Sequence, residues 1–186
     1  MTVKIKVVTA ANRTSSFLEH DPDRGGRILE DIKRGSHLFS GAPLIISSST
    51  HTEIFAAASI VCIEFETSQN LDAYLPANQD FVLTAMTPAE AAAPFQGGME
   101  GNRFSARIDF FFTGGHTIAT RVEGQRKPSL AERLMNITSI FERPVVTYSL
   151  PQGGIGLMNP AVMTRSIITP AAPDLPSNAW IVEDRS

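Results

Sequence analysis

The residues best suited to chemistry are few. His51-Thr52-Glu53 sets an imidazole and a carboxylate two positions apart. They fall on one side of the chain if the segment is extended, where with His37 or His116 they would offer nitrogen and oxygen ligands to a divalent metal. Four histidines in 186 residues is an ordinary number, and no pair has the i, i+4 spacing of a helical zinc site. His51, Glu53 and His116 therefore stand as an alternative metal or polar-ligand site, and no cofactor is assigned. Cys62 is the single cysteine, so it has no internal disulfide partner. It lies among apolar residues, as a buried inert thiol does. The serines at 47–49 lack the Gly-x-Ser-x-Gly elbow that exposes a nucleophile, and a Ser, His116 and Asp109 triad would need convergence in three dimensions. Gly97-Gly98 and Gly153-Gly154-Ile155-Gly156 match neither a dinucleotide fingerprint nor a phosphate loop with its lysine, and they read as turns between strands. No catalytic residue is assigned.

Charge is distributed unevenly around these residues. The formal total is −3, but residues 35–102 contain no Lys or Arg against seven acidic residues, Glu64 and Glu66 among them. Residues 103–143 carry seven basic and four acidic residues, a local +3 that includes Arg107, Arg121, Arg126 and Lys127. Two arrangements are compatible with this: neighbouring elements pair the charges within one chain, or an acidic face of one copy meets a basic face of the next. The second makes Glu64, Glu66, Arg107, Arg121, Arg126 and Lys127 candidate subunit-interface residues. Without a clustered basic arm the chain is not expected to read nucleic acid specifically.

The elements that must hold these residues are mostly strands. At 186 residues, with 42% apolar and 19% charged positions, the chain is long enough for one self-sufficient core, and a single β-rich domain over residues 1–186 is expected. Alternation predicts strands at 3–8, 43–49, 59–67, 81–86, 103–113, 116–122 and 145–150. Val61, Ile63 and Phe65 share one face of the third, while Phe104, Ala106, Ile108, Phe110 and Phe112 line one side of the fifth. Gly114-Gly115 predicts a hairpin into Ile118, Thr120 and Val122, and residues 81–86 read as a strand buried on both faces. Residues 1–42 are read as a strand, a turn at 21–26 and a short helix over 27–34. Residues 88–94 hold a helical turn. Ser129 and Glu132 form a capping box for a helix with Leu130, Leu134, Ile137 and Phe141 on one face. Residues 170–186 form an extended proline-containing tail docked through Trp180, a further interface candidate. The amino terminus lacks the pattern of a secretory signal peptide. The longest uncharged apolar run is half a membrane span, so no membrane association is expected and the location is virion or cytoplasm.

Between residues 51 and 98 the order of features resembles the coat proteins of small icosahedral plant viruses of the tymovirus kind. His51 precedes Ala56-Ala57-Ala58-Ser59-Ile60-Val61, followed by Tyr74-Leu75-Pro76, the strand at 81–85, and Thr87-Pro88-Ala89 leading to Gly97-Gly98. The resemblance spans about a quarter of the chain, and chain length is similar. It differs in the first third, which is charged rather than Pro-rich, and in carrying its proline-rich segment at the other end. It implies a jelly roll that assembles into a shell and holds nucleic acid non-specifically. The sequence thus points to an antiparallel β-sandwich or jelly roll with one or two short helices, functioning as a self-associating structural protein, specifically a capsid subunit. The alternative is a β-barrel enzyme or small-ligand-binding protein using His51, Glu53 and His116.

Overall fold

The computed structural model describes residues 1–33, 35–71, 74, 81–133 and 139–182. The fold is mainly β with short helices, arranged as a β-sandwich whose two layers belong to one hydrogen-bonded sheet. The sheet path is β12 (Met163–Thr169), β8 (Arg103–Phe112), β9 (Thr117–Gln125), β6 (Phe81–Ala85), β10 (Val146–Ser149), β11 (Ile155–Met158), β5 (Ile60–Thr67), β1 (Val3–Thr9) and β2 (Thr14–Glu19). A short β7 (Gly98–Glu100) adds to β8. All neighbours are antiparallel except β6 and β10, which meet in parallel at Thr84 and Ser149. That junction departs from the all-antiparallel expectation. It is where the sheet turns over on itself.

Two hydrophobic clusters show the layering. One joins Phe110, Phe112, Leu83 and Val122 of the outer half (β12, β8, β9, β6) to Val8, Cys62, Tyr148 and Met158 of the middle half. The other lies on the opposite face of the middle half, where Val3, Ile5, Val7, Ile63, Phe65, Ile155 and Leu157 receive Leu29 and Ile32 of helix α1 (Pro22–Ile32). Phe55 of a separate hairpin, β3 (Leu44–Ser47) with β4 (Thr52–Phe55), completes that cover. The alternation of β1 therefore serves two neighbours at once: its valines and Ile5 enter the second cluster while Lys4 and Lys6 face the other way. A register shift between Val8 and Thr9 leaves Val61 as an extra residue on β5, so Val61 and Cys62 both reach the first cluster.

Several elements differ from the expectation, each for a physical reason. Helix α1 starts five residues early. Asp21 is its N-cap, accepting from the backbone N–H groups of Asp23 and Arg24, and Pro22 fills the first turn, where a missing N–H costs nothing. Gly25 and Gly26 are tolerated inside the helix because Leu29 and Ile32 are fully packed and Gly25 itself is buried against Met1 and Val3. Strands β2, β4, β7, β11 and β12 were not expected, and Gly98 and Ile155-Gly156, read as turns, belong to β7 and β11. β2 alternates in burial but with Ser15 inward and Leu18 outward, so its sequence shows no apolar alternation, and β11 is buried throughout. Strand β6 is half-exposed, with Val82 in solvent, rather than buried on both faces. Helix α2 (Pro88–Ala92) forms with a complete Thr87–Glu90 capping box. In the second expected helix, Ser129 accepts from the Glu132 N–H, whereas Leu134 and Ile137 lie outside the described residues and Leu130 and Phe141 are exposed. The expected turn at 76–78 also lies outside them.

A row of side chains crosses the middle layer at one level. Tyr148 of β10 pairs with Gly156 of β11, which pairs with Glu64 of β5, which pairs with Lys6 of β1. The Tyr148 ring lies over Gly156, and a Cβ there would fall inside it. Gly156→Ala is therefore expected to destabilise the protein by about 1–3 kcal/mol, the usual cost of overpacking. A urea midpoint shifted downward with an unchanged slope checks this; no shift would show that the ring is free to move aside.

Candidate functional site

Two sites emerge, and neither is the one centred on His51. The first is the polar row just described. Glu64, whose side chain is 14% exposed, accepts from Lys6 Nζ at 2.8 Å and from the Tyr148 hydroxyl at 3.0 Å. Burial lowers the Lys6 pKa, but the bond to Glu64 and its charge outweigh this and leave it raised. Burial above all, with the Glu64 carboxylate beside it, pushes Tyr148 well up, so its hydroxyl stays a donor. Burial also pushes the Cys62 thiol up to about 12, with Glu64 adding to it. Cys62 is thus a protonated core thiol and no nucleophile. His116, in the β8–β9 turn, packs on Phe112 with ring centroids 6.3 Å apart. Burial, and then the charge of Lys6, hold its pKa below 6.5. Within this row each Glu64 oxygen accepts one bond, Oε2 from Lys6 and Oε1 from Tyr148.

The second site is a cavity of about 360 Å³. It exists because the two layers differ in length. Strands β8 and β9 have ten and nine residues, while β10 and β11 have four each. At roughly 3.3 Å per residue the inner face of the outer layer overhangs its partner by several residues. Phe104, Ala106 and Ile108 of β8, Val122 of β9 and Ile168 of β12 form an apolar floor that the middle layer does not reach. Residues 170–174 run across it as a strap. Asp174 fastens the strap, accepting from Arg133 Nε at 2.6 Å and from Arg126 Nη2 at 3.0 Å. Those two guanidiniums, Arg133 first, hold the Asp174 carboxyl below its ordinary value of 3.8. Arg133 also donates to the carbonyls of Lys127 and Pro128, at 2.9 and 3.0 Å, which places the basic side chains at the rim.

The remaining sequence candidates are dispersed. His51 and Glu53 lie 3.3 Å apart at the β3–β4 hairpin, and Glu53 accepts from Ser15 at 2.8 Å. They sit on the face of the middle layer that holds the second cluster, whereas His116 is on the other face with Lys6. Among the described residues no three His, Cys, Asp or Glu side chains converge on a metal position. Asp109 binds Arg107 at 2.9 Å instead of approaching His116, and Arg107 also donates to the Ala91 carbonyl at 2.7 Å, tying α2 to β8. Glu66 pairs with Lys4 at 3.0 Å and Arg121 with Glu123 at 3.1 Å. The acidic and basic segments thus find partners inside the chain, though not chiefly each other. Trp180, expected to dock the tail, is 95% exposed, and the tail is held by Asp174 instead. Asp174 and Arg133 were not singled out in the sequence. Their separation of 41 residues leaves no local signal, and only the unpaired look of an acidic residue in a proline-rich tail hints at a distant partner.

The chain matches no protein-family model, no curated protein and no solved structure. Among the described residues no helix is long and apolar enough to cross a membrane.

His116 provides a test of the first. Its folded pKa lies below the unfolded value, so between the two the unfolded chain binds a proton that the native state refuses. Stability is expected to fall as pH drops through about 6.5 toward the folded value, and to be insensitive to this group above it. Urea midpoints measured across that range should lose part of their pH slope in His116→Gln. An unchanged slope would show that His116 is as free as an exposed imidazole.

Proposed function

We propose that the protein is a self-associating structural protein, and a coat subunit is the specific form consistent with the resemblance at residues 51–98. One observation carries the reading. Trp180, Ile181 and Val182 are 95, 85 and 82% exposed in succession, at the end of a strap whose earlier part is pinned by two arginines. Consecutive exposed apolar residues of this size are a liability unless they meet a partner. Ile45 and Ile54 support it, forming a cross-strand pair that faces solvent on the outer side of the β3–β4 hairpin.

Light scattering across protein concentration and salt is the test, with electron microscopy of any large species. The expected result is a multimer at micromolar to tens of micromolar protein, and a closed shell or ring would favour the coat form. A monomer under all conditions would overturn the reading.

The overhang cavity favours a second reading, a binding protein for a small amphipathic anion. Its volume lies within the range of small-molecule sites, its floor is apolar, and its rim carries Arg126, Lys127 and Arg133. A medium-chain fatty acid is then expected to bind one-to-one by calorimetry and more weakly to Arg133→Ala. Absence of saturable heat would remove this reading and leave the first untouched.

A further inference from the structure

We infer that the Trp180-Ile181-Val182 segment of one copy occupies the overhang cavity of a second copy. The inference rests on the self-association proposed above and names the two surfaces that would meet.

The two surfaces are complementary in three respects. The cavity is apolar, floored by Phe104, Ala106, Ile108, Val122 and Ile168, and its 360 Å³ suits a group of the size of an indole with an aliphatic neighbour. The segment offers an indole and two branched aliphatic side chains in sequence, all exposed in the single chain. Aromatic anchors of this kind dominate interface energetics when a partner pocket desolvates them. Charge agrees as well. At the rim the guanidiniums of Arg126 and Arg133 share one carboxylate, Asp174, so this trio keeps a net positive charge. The sequence directly after Val182 is Glu183-Asp184. An arm inserted through the rim would bring two acidic residues to a basic margin.

The chain's own cavity is not where its arm goes. Asp174 is pinned at the rim of that cavity, Pro170, Pro173 and Pro176 stiffen the segment around it, and the Ala179 N–H closes a turn onto the Pro176 carbonyl at 2.9 Å. Trp180 leaves this turn pointing into solvent. Arm and cavity are different patches of one surface, so the contact is head-to-tail and each copy can both give and receive. Repetition builds a ring, a filament or a shell.

The test uses two complementary variants. A chain ending at Leu175 keeps the clamp and the cavity but lacks the arm; Ala106→Phe fills the cavity but keeps the arm. Each alone is expected to be monomeric by light scattering, and an equimolar mixture is expected to form a one-to-one dimer that grows no further. Trp180 is the only tryptophan, so on mixing its emission should move to the blue. Trp180→Ala in the arm-bearing partner should weaken the dimer by about 30-fold or more, the loss typical of a central aromatic anchor. If circular dichroism shows that Ala106→Phe does not fold, a synthetic peptide of residues 176–186 added to the Leu175-terminated chain gives the same reading, with the peptide tryptophan as the sole indole, excited selectively over Tyr74 and Tyr148.

The inference is overturned if the Leu175-terminated chain assembles as the full chain does, which places the interface elsewhere while self-association stands. It is also overturned if peptide emission stays unchanged to millimolar protein. A blue emission independent of concentration in a monomeric full chain would show the arm folded onto its own subunit, and would remove the self-association reading too. Binding of a fatty acid to the Leu175-terminated chain, with no binding of the peptide, would give the cavity to a small ligand instead.

Discussion

The middle layer is organised by the cost of keeping the Glu64 carboxylate out of bulk water. An ion held at 14% exposure needs its lone pairs filled, and losing one partner of such a pair typically costs several kcal/mol. Lys6 and Tyr148 fill them from opposite sides, and the bare Gly156 between Tyr148 and Glu64 is what lets the ring cross the intervening strand. This one interaction ties together β1, β5, β11 and β10. A slip of one residue in any of them would turn Lys6 into the cluster of Val3, Ile5 and Val7, or Ile63 out of it. Register is thereby specified twice, by the polar row and by the apolar faces, and the two agree. Cys62 and His116 sit beside the row and take their proton affinities from it and from burial.

The outer layer has no such row and is fixed by apolar contact, which is why it can run longer than its partner. Its overhang is the origin of the cavity, and the strap fastened through Asp174 is what covers the exposed floor. A second, local device holds the far side: Arg107 grips Asp109 and the end of α2 together. Binding surface here is thus a by-product of unequal strand length and not of a dedicated loop.

How much of this could be read from the amino acids follows from the range of each interaction. The β8–β9 hairpin was legible because Phe104 to Phe112 alternate over nine residues and Gly114-Gly115 marks the turn. The mainly β character followed from β1, β5 and β8 alone. The start of α1 was misread because Asp21-Pro22, a cap followed by a first-turn proline, shares its composition with a turn, and of the two glycines inside the helix only Gly25 is packed, by Met1 and Val3. Strands β2 and β4 are held by partners that no local pattern encodes, Ser15 bonding to Glu53 and Phe17 meeting the edge of Phe55. The site was least legible. His51 and Glu53 do come together, as two-residue spacing in an extended segment requires, but that they fall on the opposite face of the middle layer from His116 is a property of topology. Arg126 was visible as half of a basic doublet, whereas its partner Asp174 lies 48 residues on.

Pinning the strap at Asp174 also sets a length scale. From that anchor to Trp180 the chain has six peptide units, about 20 Å when fully drawn out, and less with the turn at Pro176 in place. Any surface the indole touches must lie inside that radius, so the anchor converts a tail that would otherwise sample solvent into a short tether with a high local concentration at its end. The two guanidiniums, Arg133 first, hold the anchoring carboxyl below its ordinary value, so the anchor stays ionised across the neutral range. The spacing between whatever the tether joins is therefore written into one carboxylate.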